Sequence, residues 1–199
     1  MNNKILLATG NKNKILEIEQ SIKLSLVNYK IISPKEINLE HINPIENATS
    51  LEGNAKIKAH EFFKASNLPS LADDTGLEVD SLDGEPGVFS ARFAGINASS
   101  QQNRLLLLDK LAANENRKAR FRTVFCFYDG NATYFFEGIC EGTITYEQKG
   151  DSGFGYDPIF IPENYSTTFA EMDADLKNKI SHRGKAVRNF VSWLKDYKS

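Results

Sequence analysis

Residues 5–20 read ILLATGNKNKILEIEQ, and the fold class turns on how this stretch is parsed. The apolar run at 4–8, KILLA, reads as a buried strand that breaks at Thr9-Gly10-Asn11. A helical pattern follows at once, since Ile15, Ile18, Ile22 and Leu26 fall near one stripe. Lys12 and Lys14 stand in its opening turn. That end of a helix already carries partial positive charge and ordinarily attracts acidic residues. A strand–turn–helix junction gathers several backbone N–H groups around one concave point. Gly10 lets the backbone approach a ligand closely, and Lys14 adds a mobile charge. The arrangement suits phosphate, although the G-x-x-x-x-G-K-[ST] spacing of a Walker loop is absent. By itself the stretch favours a plainer reading, a surface turn with solvated lysines.

Working outward, residues 29–33 (YKIIS) are expected to form a second strand, and 34–50 a polar surface loop. A helix is expected around 50–66, with Leu51, Ala55, Ala59, Phe62 and Phe63 inward. Residues 68–82, LPSLADDTGLEVDSL, read as strand, sharp turn, strand, and 83–95, DGEPGVFSARFAG, as a structured loop. Ser99 or Ser100 can cap a helix running through Leu111. In FRTVFCFYDGNATYFFEGICEG (121–142) two β-branched and aromatic runs flank Asp129-Gly130-Asn131, a good hairpin turn. Thr168-Phe169-Ala170-Glu171 fits a capping box. A last helix follows Ser181, with Val187, Phe190, Val191 and Leu194 inward. Alternating strands and helices plus a later hairpin predict an α/β fold with a mixed sheet, in a single domain spanning 1–199.

The net charge of −2 gives no global pull toward a nucleic-acid polymer or an anionic membrane, so any anion site must be built locally. The N-terminus lacks the apolar core of a signal peptide. The longest apolar runs, such as LLLL at 105–108, are too short to span a bilayer. Cys126 and Cys140 lie in apolar, β-like segments and read as buried thiols of a cytoplasmic protein.

Four further stretches carry chemistry. In LADDTG (71–76) neighbouring side chains of an extended chain face opposite sides, so Asp73 and Asp74 are expected to do different jobs. A carboxylate beside phosphate needs a cation between them, and Mg²⁺ is the natural mediator. In SLEGNAKIKAHEFF (50–63) Lys58 stands among alanines, and Asn54 beside Gly53 is unusual near a helix start. GDSGFGYDPIF (150–160) interleaves glycines with Phe154 and Tyr156, whose rings offer flat faces for a base. In LKNKISHRGKAVR (176–188) His182 and Arg183 put cations at a second helix start, which favours an anionic ligand shared with the first.

Together LATGNKNKILEI, SLEGNAKIKA, LADDTGLEVDSLDGEPGVFSARFAG, GFGYDPIF and ISHRGKA, in this order along nearly the whole chain, resemble the inosine/xanthosine triphosphate pyrophosphatase family. The resemblance implies an elongated α/β fold with two lobes around a central cleft, and a homodimer. It implies Mg²⁺-dependent conversion of non-standard purine nucleoside triphosphates (ITP, dITP, XTP) to monophosphate and pyrophosphate. By position it makes Thr9, Gly10, Asn11, Lys12, Asn13 and Lys14 phosphate-binding. Lys14 and Lys58 become charge-neutralising groups, and Asp74 the residue of water activation and metal binding. Thr75, where the family commonly has serine, becomes a substrate contact. Phe154, Gly155, Tyr156 and Asp157 match the nucleotide loop, and Lys177, His182 and Arg183 the base contacts. The second metal carboxylate is Glu46, Glu52 or Glu40, with Glu46 favoured. The rival readings are a non-catalytic nucleotide-binding module and a pyrophosphatase of modified pyrimidine nucleotides.

Overall fold

A computed structural model describes residues 4–9, 14, 15, 18 and 29–197. Among them, strands β1 (Lys4–Leu7), β2 (Lys30–Ile32), β3 (Ser70–Val79), β4 (Pro86–Gly87), β5 (Lys118–Tyr128), β6 (Thr133–Ile144) and β7 (Phe160–Pro162) form one sheet. Its order is β2-β1-β3-β5-β6-β7, with β4 on β3. β1 pairs in parallel with β2 and β3, whereas β3–β4 and β6–β7 are antiparallel. The mixed α/β sheet read from the sequence is therefore present. The helices are α1 (Leu51–Ser66), α2 (Ser100–Lys110), α3 (Ala174–Ile180) and α4 (His182–Asp196). Lys14, Ile15 and Ile18 are helical too, while Ile22 and Leu26 lie outside the described residues. No helix among the described residues is long and apolar enough to cross a membrane.

The chain divides into two compact units: residues 1–74, 123–138 and 183–199 form the first, and 75–122 and 139–182 the second. In the first unit strand alternation sorts the core. Ile5, Leu7, Leu71, Phe125 and Phe127 join a cluster with Ala186, Val187, Phe190, Val191 and Leu194 of α4. Their strand neighbours Leu6, Ala8, Ala72 and Cys126 join Ala55, Ala59 and Phe62 of α1 instead. This is the two-residue period of a strand covered on both faces. Ser50 caps α1 by accepting a hydrogen bond from the Gly53 N–H at 3.1 Å.

The second unit is built on Leu77, Val79, Leu107, Leu111, Phe121, Ile144, Ile159, Phe160 and Phe169. Ser99 and Gln102 close a capping box at the start of α2. Buried Arg117 donates to three backbone carbonyls, of Leu111, Ile144 and Thr145, at 2.7–2.8 Å.

Two local expectations fail. LADDTGLEV is one unbroken strand with no turn at Asp-Thr-Gly. Gly76 serves close approach: a Cβ there would lie 2.6 Å from the Gly87 carbonyl oxygen of β4. Glu171 Oε2 accepts from the Thr168 N–H at 2.7 Å and from its hydroxyl at 2.9 Å, but the Glu171 N–H bonds the Thr168 carbonyl rather than its side chain, and no helix follows. The Phe169 N–H is bonded to the Phe160 carbonyl instead, and α3 starts later, capped by Asp173. Both cysteines are buried thiols outside any disulfide, and burial pushes Cys126 up to about 12.

Candidate active site

In the first unit the site begins where β1 and β3 run side by side. Thr9 and Asp73 each follow the Leu7–Leu71 pair by two residues. Alternation along β3 then sends its two aspartates to opposite faces. Asp73 shares the face of Leu71, toward α4, and Asp74 that of Ala72, toward α1.

Asp73, its side chain wholly buried, pairs with Lys14 Nζ at 2.9 Å and lies 3.9 Å from Arg183 Nε. Burial alone pushes its carboxyl up. Lys14, Arg183 and Lys58 together outweigh that and hold it at about 2, ionised at any physiological pH.

Asp74 meets two residues of α1, each through its own oxygen. Oδ2 accepts from Asn54 Nδ2 at 3.1 Å, and Oδ1 lies 3.6 Å from Lys58 Nζ. Positions 54 and 58 are four apart and so share one helix face. Lys58 Nζ also donates to Glu46 Oε2 at 2.9 Å. Burial, reinforced by Glu46, leaves the Asp74 carboxyl above its ordinary range despite Lys58 and Lys14. The same burial would lower Lys58, but Asp74, Asp73 and Glu46 reverse it and raise the amine. Adjacent carboxylates thus carry opposite shifts, one locked as an anion and one with heightened proton affinity.

Of the three candidates for a second metal carboxylate, Glu46 is the one that shares Lys58 with Asp74. No group of three or more His, Cys, Asp or Glu suited to a metal occurs among the described residues. Two carboxylates still fit Mg²⁺, which prefers oxygen donors and fills its other positions with water and substrate phosphate. Gly10, Asn11, Lys12 and Asn13 lie outside the described residues.

The second unit gathers a different set. The 150–160 loop folds back on itself, with Asp157 Oδ2 accepting from the Phe154 N–H at 2.7 Å and from Lys177 Nζ at 2.9 Å. A Cβ at Gly153, whose φ is +76°, would collide with that carboxylate, so only glycine fits. Lys177 Nζ stands 5.0 Å from the Phe154 ring centre and 5.8 Å from that of Phe169. His182 is buried and stacked on Phe121, with ring centres 4.5 Å apart. Arg104 Nη1 donates to the Gly155 carbonyl at 2.6 Å. Thr75 opens this unit, half-buried on β3.

Two placements bear on the flat-ring and base-contact expectations. Tyr156 is a core residue, 5% exposed, with its hydroxyl donating to the Ser90 carbonyl at 2.9 Å. Arg183 lies in the first unit beside Asp73, although His182 before it belongs to the second. The sequence reading left Asn54 without a role, its only signal being the Gly-Asn pair at a helix start. Arg104 and Phe169 had no local signal.

A family is defined by this sheet and these residues. Residues 5–193 match the model of the Ham1 family, and the chain belongs to that family. It is 45% identical over 191 residues to the dITP/XTP pyrophosphatase of Flavobacterium johnsoniae, covering 96% of this chain and 97% of that one. The dITP/XTP pyrophosphatase of Flavobacterium psychrophilum is 44% identical, with 97% and 100% covered. Among solved structures, a HAM1 protein from Coxiella burnetii superposes with a TM-score of 0.89 at 35% identity, covering 98% of this chain and 99% of that one.

Proposed function

We propose that the protein hydrolyses non-standard purine nucleoside triphosphates (ITP, dITP and XTP) to the monophosphate and pyrophosphate, with Mg²⁺ as cofactor. The observation that carries the reading is the opposed pair on β3: Asp73 held ionised by Lys14 and Arg183, and Asp74 raised beside Lys58 and Glu46. The relatives' names supply the substrate class.

In the reaction, water attacks the α-phosphorus and the bond to the bridging oxygen of pyrophosphate breaks. Asp74 orients the water and takes its proton. The segment Thr9–Lys14 binds phosphate oxygens. Lys14 and Lys58 offset charge that builds on the leaving group. Each close pair gives up to ~4 kcal/mol at an effective dielectric near 20, before desolvation, so several are required. Glu46 and Asp74 would hold Mg²⁺, which when bound neutralises phosphate charge and polarises the scissile bond.

The second unit recognises the base. Phe154 offers its ring, and Lys177 and His182 offer donors for a 6-oxo group, which adenine lacks. Arg183 acts from the first unit by neutralising Asp73. A cytoplasmic homodimer that cleanses the nucleotide pool completes the reading, and sedimentation of the purified protein checks the dimer.

Incubation with ITP, XTP, GTP and ATP plus Mg²⁺ tests the proposal. Inosine monophosphate and pyrophosphate are expected from ITP, with GTP and ATP poorer substrates. Orthophosphate as the sole product, or no turnover, overturns the reading. Equal kcat/KM across the four overturns the selectivity.

A further inference from the structure

We infer that Asn54 is a positioning residue that fixes the orientation of Asp74 and ties it to the loop carrying Glu46. This inference rests on the proposed reading, in which those two carboxylates hold the metal.

Asn54 is fully buried, so no bulk water competes for its amide. Its Oδ1 accepts from the Ala48 N–H at 2.9 Å, and its Nδ2 donates to Asp74 Oδ2 at 3.1 Å. A backbone N–H can only donate, so Oδ1 must face Ala48, and the NH₂ is thereby turned toward the carboxylate. With Lys58 on the other oxygen, the plane of the Asp74 carboxylate is set by two residues of one helix face.

The second arm reaches the chain two residues beyond Glu46. That loop is seated closely on α1, since a Cβ at Gly53 would lie 2.5 Å from Ala48 Cβ. Ser50 bonds the Gly53 N–H, and Glu46 itself bonds Lys58. One buried amide therefore spans the helix, the Asp74 strand and the Glu46 loop.

Wild type, Asn54→Leu and Asn54→Ser are compared by Mn²⁺ binding without nucleotide, read by electron paramagnetic resonance. They are also compared by kcat and KM for ITP and by hydrogen exchange of residues 46–49. Leucine matches the shape of asparagine and removes both bonds. It is expected to weaken Mn²⁺ binding and kcat by about 10- to 100-fold. KM for ITP should stay within about threefold, and exchange of the loop should rise. Serine, too short to span both partners, should move the same readouts less, and it carries the test if the leucine variant does not fold. A purely structural asparagine would leave Mn²⁺ affinity unchanged in a folded variant, and that result overturns the inference. Absence of Mn²⁺ binding by wild type overturns it as well, whatever the ITP assay shows. Failure of wild type to hydrolyse ITP with Mn²⁺ binding intact sinks the functional reading alone, and the Asn54 comparison is then decided by metal affinity and exchange.

Discussion

Both units bury a lysine against an aspartate, yet the two pairings have different surroundings. In the first unit Lys58 faces Glu46 and Asp74, and Lys14 and Arg183 face Asp73. In the second, the Lys177–Asp157 pair sits among the rings of Phe154 and Phe169. A network of several charges can be re-partnered when a polyanion and a divalent cation arrive. A pair buried among aromatic rings cannot lose its partner cheaply, and in the proposed reading it shapes a surface for a flat, uncharged base. The contrast teaches that similar ion pairs do different work according to how apolar their neighbours are.

The sharpest way to break this comparison is Asp74→Asn. In the first unit, loss of the proton acceptor should lower pyrophosphate release by about 10²- to 10⁴-fold. ITP binding, followed by calorimetry, should persist. Retained turnover would remove Asp74 from the chemistry and leave the first unit as a charge scaffold.

Next comes Lys177→Met in the second unit. It takes the cation from buried Asp157 and should cost about 3–5 kcal/mol of stability, measured by urea unfolding. A loss below about 1 kcal/mol, the scale of an exposed pair, would erase the proposed difference between the units.

The smallest effect is an acid-dependent one. Asp73 has its folded pKa depressed to about 2 from an ordinary 3.8. Its contribution to stability is therefore fully present above pH 3.8 and is lost as pH falls through 2. The difference amounts to about 2 kcal/mol. Unfolding of wild type and Asp73→Asn in urea, from pH 6 down to pH 2, should show a stability gap that narrows over the last two units. A gap independent of pH would refute the ionised, cation-locked state of Asp73.

Much of this was legible in residues close together along the chain. The β5–β6 hairpin was marked by Asp129-Gly130, and Asp129 Oδ1 does accept from the Asn131 and Ala132 N–H groups at 2.7 Å. The inner face of α4 was set by the spacing of Val187, Phe190, Val191 and Leu194. The sharp turn expected within residues 68–82 failed because Gly76 answers to Gly87, eleven residues on and across a strand. The sequence reads Tyr156 as a flat face for a base because nothing local shows that its hydroxyl is bonded to the Ser90 carbonyl.

By itself the sequence determined the alternation of strands and helices and the residue types available for phosphate and metal, since these follow from backbone periodicity and side-chain chemistry. Only the tertiary structure decided which aspartate is locked and which is raised, that Glu46 stands with Asp74, and that Asn54 joins them. Those outcomes depend on burial and on charges brought near from distant parts of the chain, and electrostatic energy is set by distance in space and by solvent exclusion rather than by spacing along the sequence.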